Sequence, residues 1–439
     1  MHFLSAVEDV NYGFATGTRP SEPTPAAPPE THPVAMPFDP FESGQIGLQT
    51  LAQRTIRTPS KRSLKIGIPR ERSDDERRIS LVPSAVSVLA ANGHEVLIER
   101  GAGEHAGYPD TEFADAGASI SLSAQDVFTE TDLLAKIAPP SLEELRWLKP
   151  GQVLLSALHL GDVSRERVET MRAGGITALG YEYMRDRNDD FPLVRMMHEI
   201  TGTMAVQIAA HCLESNSGGK GIMLGGISGV PPATVVILGA GITGEYAART
   251  ALGYGAQVFV LDENLSLLRR LENALDRRII TAAANASYLA SAVQAADVVI
   301  GAALQEGERA PVWVSEPMVA SMKDGSVIVD TVVDQGGCVA TSRATTHSDP
   351  VFVRHGVIHY GVPNIPSNVP RTASQALSNV ITPTLLSIGD SGGIREALWH
   401  YPTLRNGTYI YNRHITKKSL AEPFNLPFRE IDALLASEL

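Results

Sequence analysis

From Thr234 to Asn264 the chain reads TVVILGAGITGEYAARTALGYGAQVFVLDEN, and no other stretch narrows the possible folds so far. Its opening run is apolar and β-branched, which predicts a buried strand. Gly239, Gly241 and Gly244 follow at the spacing G-x-G-x-x-G, a helical period comes next, and a second apolar run ends at Asp262, roughly 20 residues on. Each part has a physical task. Gly239 permits a tight turn, Gly241 lets the backbone approach a pyrophosphate, and Gly244 lets the helix lie close to the sheet. The helix N-terminus adds unpaired N–H groups and a partial positive charge. Asp262 can accept hydrogen bonds from both ribose hydroxyls and would repel a 2′-phosphate, so the expected cofactor is NAD rather than NADP. A glycine triplet alone is a weak signal; strand, turn, helix, strand and acid in this order predict a dinucleotide site.

The rest of the chain repeats the strand-helix alternation. LKIGIP, HEVLIE, DLLAKI, QVLLSALHL and ITALGYE each read as a buried strand, with helical stretches such as PSAVSVLAANG and VSRERVETMRAGG between several of them. A second series begins near Thr234 with TVVILG, QVFVLDE, DVVIGA and SVIVDTVVD. The tail after Thr372 is helix-rich, with LSNVITPTLLSIG and GGIREALWHY, then RNGTYIYNR and a last helix near Arg429. This pattern predicts an α/β chain with two Rossmann-like, doubly wound parallel-sheet domains. The NAD-binding domain, 193–370, is expected to be inserted into a discontinuous substrate domain, 63–192 and 371–439.

Composition sets outer limits. At 439 residues the chain exceeds the size at which single cores stop growing, and 43% hydrophobic residues can fill two. A net charge of −12 argues against nucleic acid as a partner. Cys212 and Cys338 are too few for a disulfide framework and are not spaced as a zinc site, so we expect buried thiols, no metal, and a reducing, cytoplasmic setting. No apolar run reaches the roughly 18–20 residues that cross a bilayer, so no membrane partner is expected. Residues 1–62 include PSEPTPAAPPETHPVAMPFDP, which lacks an apolar period and reads as a disordered extension. It also lacks the features of a secretory signal, and Gly47–Arg57 could form one short helix.

Four residues outside the glycine loop are placed to do chemistry. Arg78 follows the first strand in DDERRISLVP, Lys136 ends DLLAKI, His159 ends VLLSALHL, and Asp334 ends VIVDTVVD. Ligands bind beyond the carboxyl ends of strands in open α/β sheets, so the four could face one cleft. Each has a plainer reading: Arg78 as a solvated charge, Lys136 snorkelling to the surface, His159 as a bonded core residue, Asp334 as a cap for the Gly336-Gly337 turn. Their equivalent positions in successive α/β units favour the cleft.

These segments, together with GGKGIMLGGISGVPPATVVILGAGITGEYAA, SVIVDTVVDQGGC and YGVPNIPSNVPRTAS, resemble the alanine dehydrogenase family in order and interval from about Leu64 to the C-terminus. The resemblance implies reversible, NAD-dependent oxidative deamination of L-alanine to pyruvate and ammonia. It implies that Arg78 and Lys136 hold the substrate, that His159 serves as acid/base, and that Asp334 works beside nicotinamide and substrate. His198 and Asn364 would join Gly239, Gly241, Gly244 and Asp262 around the cofactor. A homo-oligomer, commonly a hexamer in that family, is expected. One departure is His198 within MMHEITG, where the family usually has Ser. The alternative is the soluble NAD-binding subunit of a proton-translocating transhydrogenase. That relative lacks the histidine, has Glu before its Gly-Gly segment, and carries an Arg-Ala-Gln…Asp stretch where this chain has MRDRNDDFPLVRMMHE. A non-catalytic NAD-sensing protein is a third reading, which the complete set of four reactive residues opposes.

Overall fold

The two series of apolar runs fold as two separate sheets. In this computed structural model the described residues are 61–159, 163–186, 188–304 and 309–437. The first series supplies β1 (Lys65–Ile68), β2 (Glu95–Glu99), β3 (Ser119–Ser121), β4 (Leu133–Ala135), β5 (Val153–Ser156) and β6 (Thr177–Gly180). The second supplies β7 (Thr234–Leu238), β8 (Gln257–Asp262), β9 (Ile280–Ala283), β10 (Val298–Gly301), β11 (Val327–Asp330), β12 (Val351–Arg354) and β13 (Val357–Tyr360). The tail adds β14 (Thr408–Tyr411) and β15 (His414–Ile415).

One sheet has eight strands in the order β15-β14-β6-β5-β4-β1-β2-β3, and the other has seven in the order β12-β13-β11-β10-β7-β8-β9. The chain therefore leaves the first sheet, builds the whole of the second, and returns to finish the first. Both sheets are parallel except at an edge, where β14 runs antiparallel to β6 and to β15, and β12 antiparallel to β13. The expected doubly wound parallel sheets are present, with these antiparallel strands added at their edges. The β12–β13 and β14–β15 pairs need only tight turns, and these short segments lack a long apolar run to announce them.

Alternate residues of the central strands feed different cores, as burial on both faces requires. Val235 and Ile237 of β7 pack in one cluster, whereas Val236 and Leu238 pack in another. In β5, Val153 and Leu155 face one side and Leu154 the other. Each such fully buried aliphatic side chain stabilises the fold by about 1.5–3 kcal/mol. Two long helices join the halves. Pro192–Cys212 opens with Pro at its first turn, where a missing N–H costs nothing, and packs on the glycine-loop helix Ile242–Gly253. The approach is tight: a Cβ at Gly202 would lie 2.2 Å from the Thr243 carbonyl oxygen.

Pro370–Ser391 is buried along most of its length, and its Ser374 and Ser378 hydroxyls accept the backbone N–H groups of Ile79 and Val82 at 2.9 Å each. Pro383 lies inside this helix. Among the described residues no helix is long and apolar enough to cross a membrane, and no His, Cys, Asp and Glu grouping suits a metal. Cys212 and Cys338 are buried free thiols. The proposed helix at Gly47–Arg57 lies outside the described residues.

Candidate active site

The glycine loop has the shape its residue types require. Gly239 adopts φ +107°, in the left-handed region, and a Cβ on it would meet the Ala302 carbonyl oxygen at 2.5 Å. A Cβ at Gly244 would lie within bonding reach of the Gly239 carbonyl oxygen, so helix and turn can pack only with glycine there. Gly241 differs, because nothing lies within 4 Å of its Cβ position. That open space lies at the start of Ile242–Gly253, a helix with no side-chain N-cap. Asp262 ends β8 and is buried, and its carboxylate accepts the Ala240 N–H at 2.6 Å and the Asn264 N–H at 2.7 Å. A carboxylate has about four acceptor positions, so two remain for hydroxyls. The loop thus fits a dinucleotide: open backbone before uncapped N–H groups, with an anchored acid beside it.

Arg78 and Lys136 are each held by a carboxylate. Arg78 donates through Nε to Glu76 Oε1 at 2.7 Å and through Nη2 to Oε2 at 2.5 Å, and Nη1 reaches Met197 Sδ at 3.2 Å. Three of its five side-chain N–H groups are engaged, leaving one on each Nη for a ligand. Burial would push Glu76 up, but the Arg78 charge and hydrogen bonds outweigh it and hold Glu76 below the ordinary carboxylate value. Asn364 Nδ2 and Ser367 Oγ donate to the same carboxylate at 3.0 and 3.1 Å. Asn364 therefore faces the Arg78 loop rather than standing apart with the glycines.

Lys136 follows the last residue of β4, its side chain only 1% exposed, and Nζ donates to Glu71 Oε2 at 2.7 Å. It does not snorkel. Burial raises the Glu71 carboxyl, and the Lys136 charge opposes the rise.

His159 and Asp334 both lie beyond the strands expected to carry them. β5 stops at Ser156, and exposed His159 stands three residues on at φ +51°, an uncommon backbone for a non-glycine residue. Glu182 explains how that conformation is held: it accepts the N–H of Leu158 at 2.8 Å and of His159 at 2.9 Å. The neighbouring Tyr181 hydroxyl donates to the Lys136 carbonyl at 2.6 Å, so one short turn after β6 ties the ends of β4 and β5. β11 ends at Asp330, correcting the longer strand expected through Asp334, which sits in the turn Val333–Gln335. Asp330, not Asp334, holds the Gly336-Gly337 turn, accepting the Cys338 and Val339 N–H groups at 3.0 and 3.2 Å. Desolvation raises the Asp334 carboxyl although solvent reaches it, and the His159 charge opposes the rise, so the two are electrostatic neighbours.

His198 lies on Pro192–Cys212, beside the Met197 that touches Arg78 and one helical turn before Gly202. Its ring is half-buried, and burial lowers its proton affinity. Sequence reasoning missed Glu71, Glu76, Glu182 and Asp330. Only proximity hinted at the first two, which share the GIPRERSDDERR loop with Arg78.

Two α/β sheets, a glycine loop fit for a dinucleotide and carboxylate-held cations define an α/β oxidoreductase. Comparisons with known proteins make this particular. The family described as alanine dehydrogenase/PNT matches through its N-terminal domain over residues 67–201 and its C-terminal domain over 205–418. Alanine dehydrogenase of Mycobacterium tuberculosis is 40% identical over 85% of this chain and 100% of its own length. That of Halomonas elongata is 38% identical with the same coverage. A solved L-alanine dehydrogenase superposes with a TM-score of 0.78 at 39% identity, covering 82% of this chain and 99% of that one. A transhydrogenase from Sinorhizobium meliloti shares the fold, with a TM-score of 0.69 at 24% identity over 81% of this chain and 99% of its own. The chain belongs to the alanine dehydrogenase/PNT family.

Proposed function

We propose that this protein catalyses the NAD-dependent, reversible oxidative deamination of L-alanine to pyruvate and ammonia. The observation that carries this reading is the pair of buried cations, Arg78 and Lys136, fixed by separate carboxylates beyond the neighbouring strands β1 and β4. Two such cations suit a small substrate with a carboxylate beside a second oxygen, and relatives named alanine dehydrogenase point the same way. We assign 193–370 to the cofactor and 63–192 with 371–439 to the substrate, in a cytoplasmic hexamer of identical chains.

Bound NAD would supply the hydride acceptor. Gly239, Gly241, Gly244 and Asp262 would hold it, with His198 and Asn364 at the side facing the substrate. The two free N–H groups of Arg78 would take the substrate carboxylate end-on, because the Nε edge already belongs to Glu76. Lys136 has protons left for the second substrate oxygen. His159 would take the proton released and return it in the reverse direction. Asp334, an electrostatic neighbour of His159, would orient the attacking water.

The test mixes purified protein with NAD or NADP and a panel of small L-amino acids, following the absorbance of reduced nicotinamide. L-Alanine with NAD should turn over fastest. Hydride exchange between nucleotides without any amino-acid dependence would instead support the transhydrogenase reading.

A further inference from the structure

A second concavity adjoins the site on the far side of the Arg78 loop, between the segments that follow β1 and β2. It is a shallow, solvent-open concavity whose walls include Arg70, Glu71, Glu76, Arg77, Arg78, Gly101 and His105. The nearby acids are already spoken for: Glu76 pairs with Arg78, and Glu71 with Lys136. Arg70 and Arg77 use their backbone N–H groups, bonding Glu99 and Ser367 at 2.8 and 3.2 Å. Their guanidiniums and the His105 ring have no hydrogen-bond or ion-pair partner among the described residues. The Glu104 carboxylate lies against Gly101.

The arrangement is chemically specific. Guanidiniums that share a concavity repel one another unless an anion lies between them, and their planar forks match carboxylate and phosphate oxygens. The concavity also lies beyond the carboxyl ends of β1 and β2, the region of an open parallel sheet where ligands gather.

We propose that this concavity is a binding subsite for a small oxyanion, a carboxylate or inorganic phosphate, held by Arg70 and Arg77 with His105 as a further donor. Arg78 and Glu76 form its common wall with the substrate site. On the deamination reading above, an occupant would change the apparent affinity for the amino acid.

Isothermal titration of the full chain with inorganic phosphate and with malonate, at low ionic strength and against a chloride control, tests the subsite without reference to turnover. One saturable site per chain is expected, with affinity reduced at least about tenfold by Arg70→Ala or Arg77→Ala, the loss of a charge-assisted hydrogen bond. The thermal midpoint of both variants should match the parent. The tighter of the two probes identifies the natural oxyanion. Binding that fails to saturate, or that equals the effect of chloride, would overturn the proposal. So would binding that survives Arg70→Ala and Arg77→Ala but is lost in Arg78→Lys, since the anion would then occupy the substrate site. Failure of alanine turnover leaves this titration untouched and bears on the deamination reading alone.

Discussion

On the proposed deamination, Arg78 and His159 would serve one reaction through different energetics, and their variants should separate. If Arg78 holds the substrate carboxylate in ground and transition states alike, Arg78→Lys should raise the KM for alanine with little change in kcat. The lost charge-assisted bond is worth about 1.5–3 kcal/mol, roughly 10–150-fold, and lysine cannot serve Glu76 and substrate together. His159→Ala should instead lower kcat by about 10²–10⁴ and remove one limb of the pH profile. Because His159 is exposed, its loss should leave the thermal midpoint and NAD affinity near their original values. Steady-state kinetics, a melting curve and NAD titration on both proteins check these outcomes. A second residue-scale prediction follows from Glu76, whose folded carboxyl is held below the ordinary value of 4.5. A depressed acid stabilises the fold above its unfolded pKa and loses that contribution as pH falls through the folded value. The gap in thermal midpoint between the parent and Glu76→Gln should therefore hold steady down to about pH 5 and narrow as pH falls below about 4.5. The candidate residues were chosen from their equivalent places after apolar runs. Their carboxylate partners were not, because nothing in the spacing of Glu71, Asp74, Asp75 and Glu76 tells which turn inward.

At the scale of elements, two short connections govern precision. Glu182 is the one acceptor shown for both the Leu158 and His159 N–H groups, and it holds His159 at a backbone angle that the side chain does not favour. Glu182→Ala should release that loop and lower kcat by up to about 10²-fold, as small misplacements do, while NAD affinity stays unchanged. An equal loss in NAD affinity would mean that Glu182 supports the fold and not His159. The helix crossing at Gly202 is less forgiving. Gly202→Ala places a methyl 2.2 Å from the Thr243 oxygen, on the segment that opens the glycine-loop helix. It should destabilise the protein by about 1–3 kcal/mol and weaken NAD binding, both measurable by denaturant titration with and without cofactor. Central strands such as β7 and β10 were legible because burial on both faces leaves an unbroken apolar signature. β14 and β15 were not, since their pairing with β6 and with each other depends on a tertiary return that no local pattern encodes.

At the scale of the whole molecule, the nested order of the two sheets decides what can be removed. A segment rich in proline without an apolar period cannot supply a packed active-site wall, so deletion of residues 1–60 should leave turnover almost unchanged. A large fall in kcat, with assembly intact by light scattering, would place that segment at the cleft. The nesting itself was visible in the sequence as an α/β series interrupted by another and followed by a helix-rich tail. Its consequence reaches into the chain's synthesis. The Arg78 loop depends on Ser374 and Ser378, which accept the N–H groups of Ile79 and Val82 from 295 and 296 residues away. On the ribosome the inserted half can close its sheet as soon as β13 emerges. The half that carries Arg78, Lys136 and His159 must wait for the tail, so the last-made part of each molecule is what completes the first-made part of its candidate site.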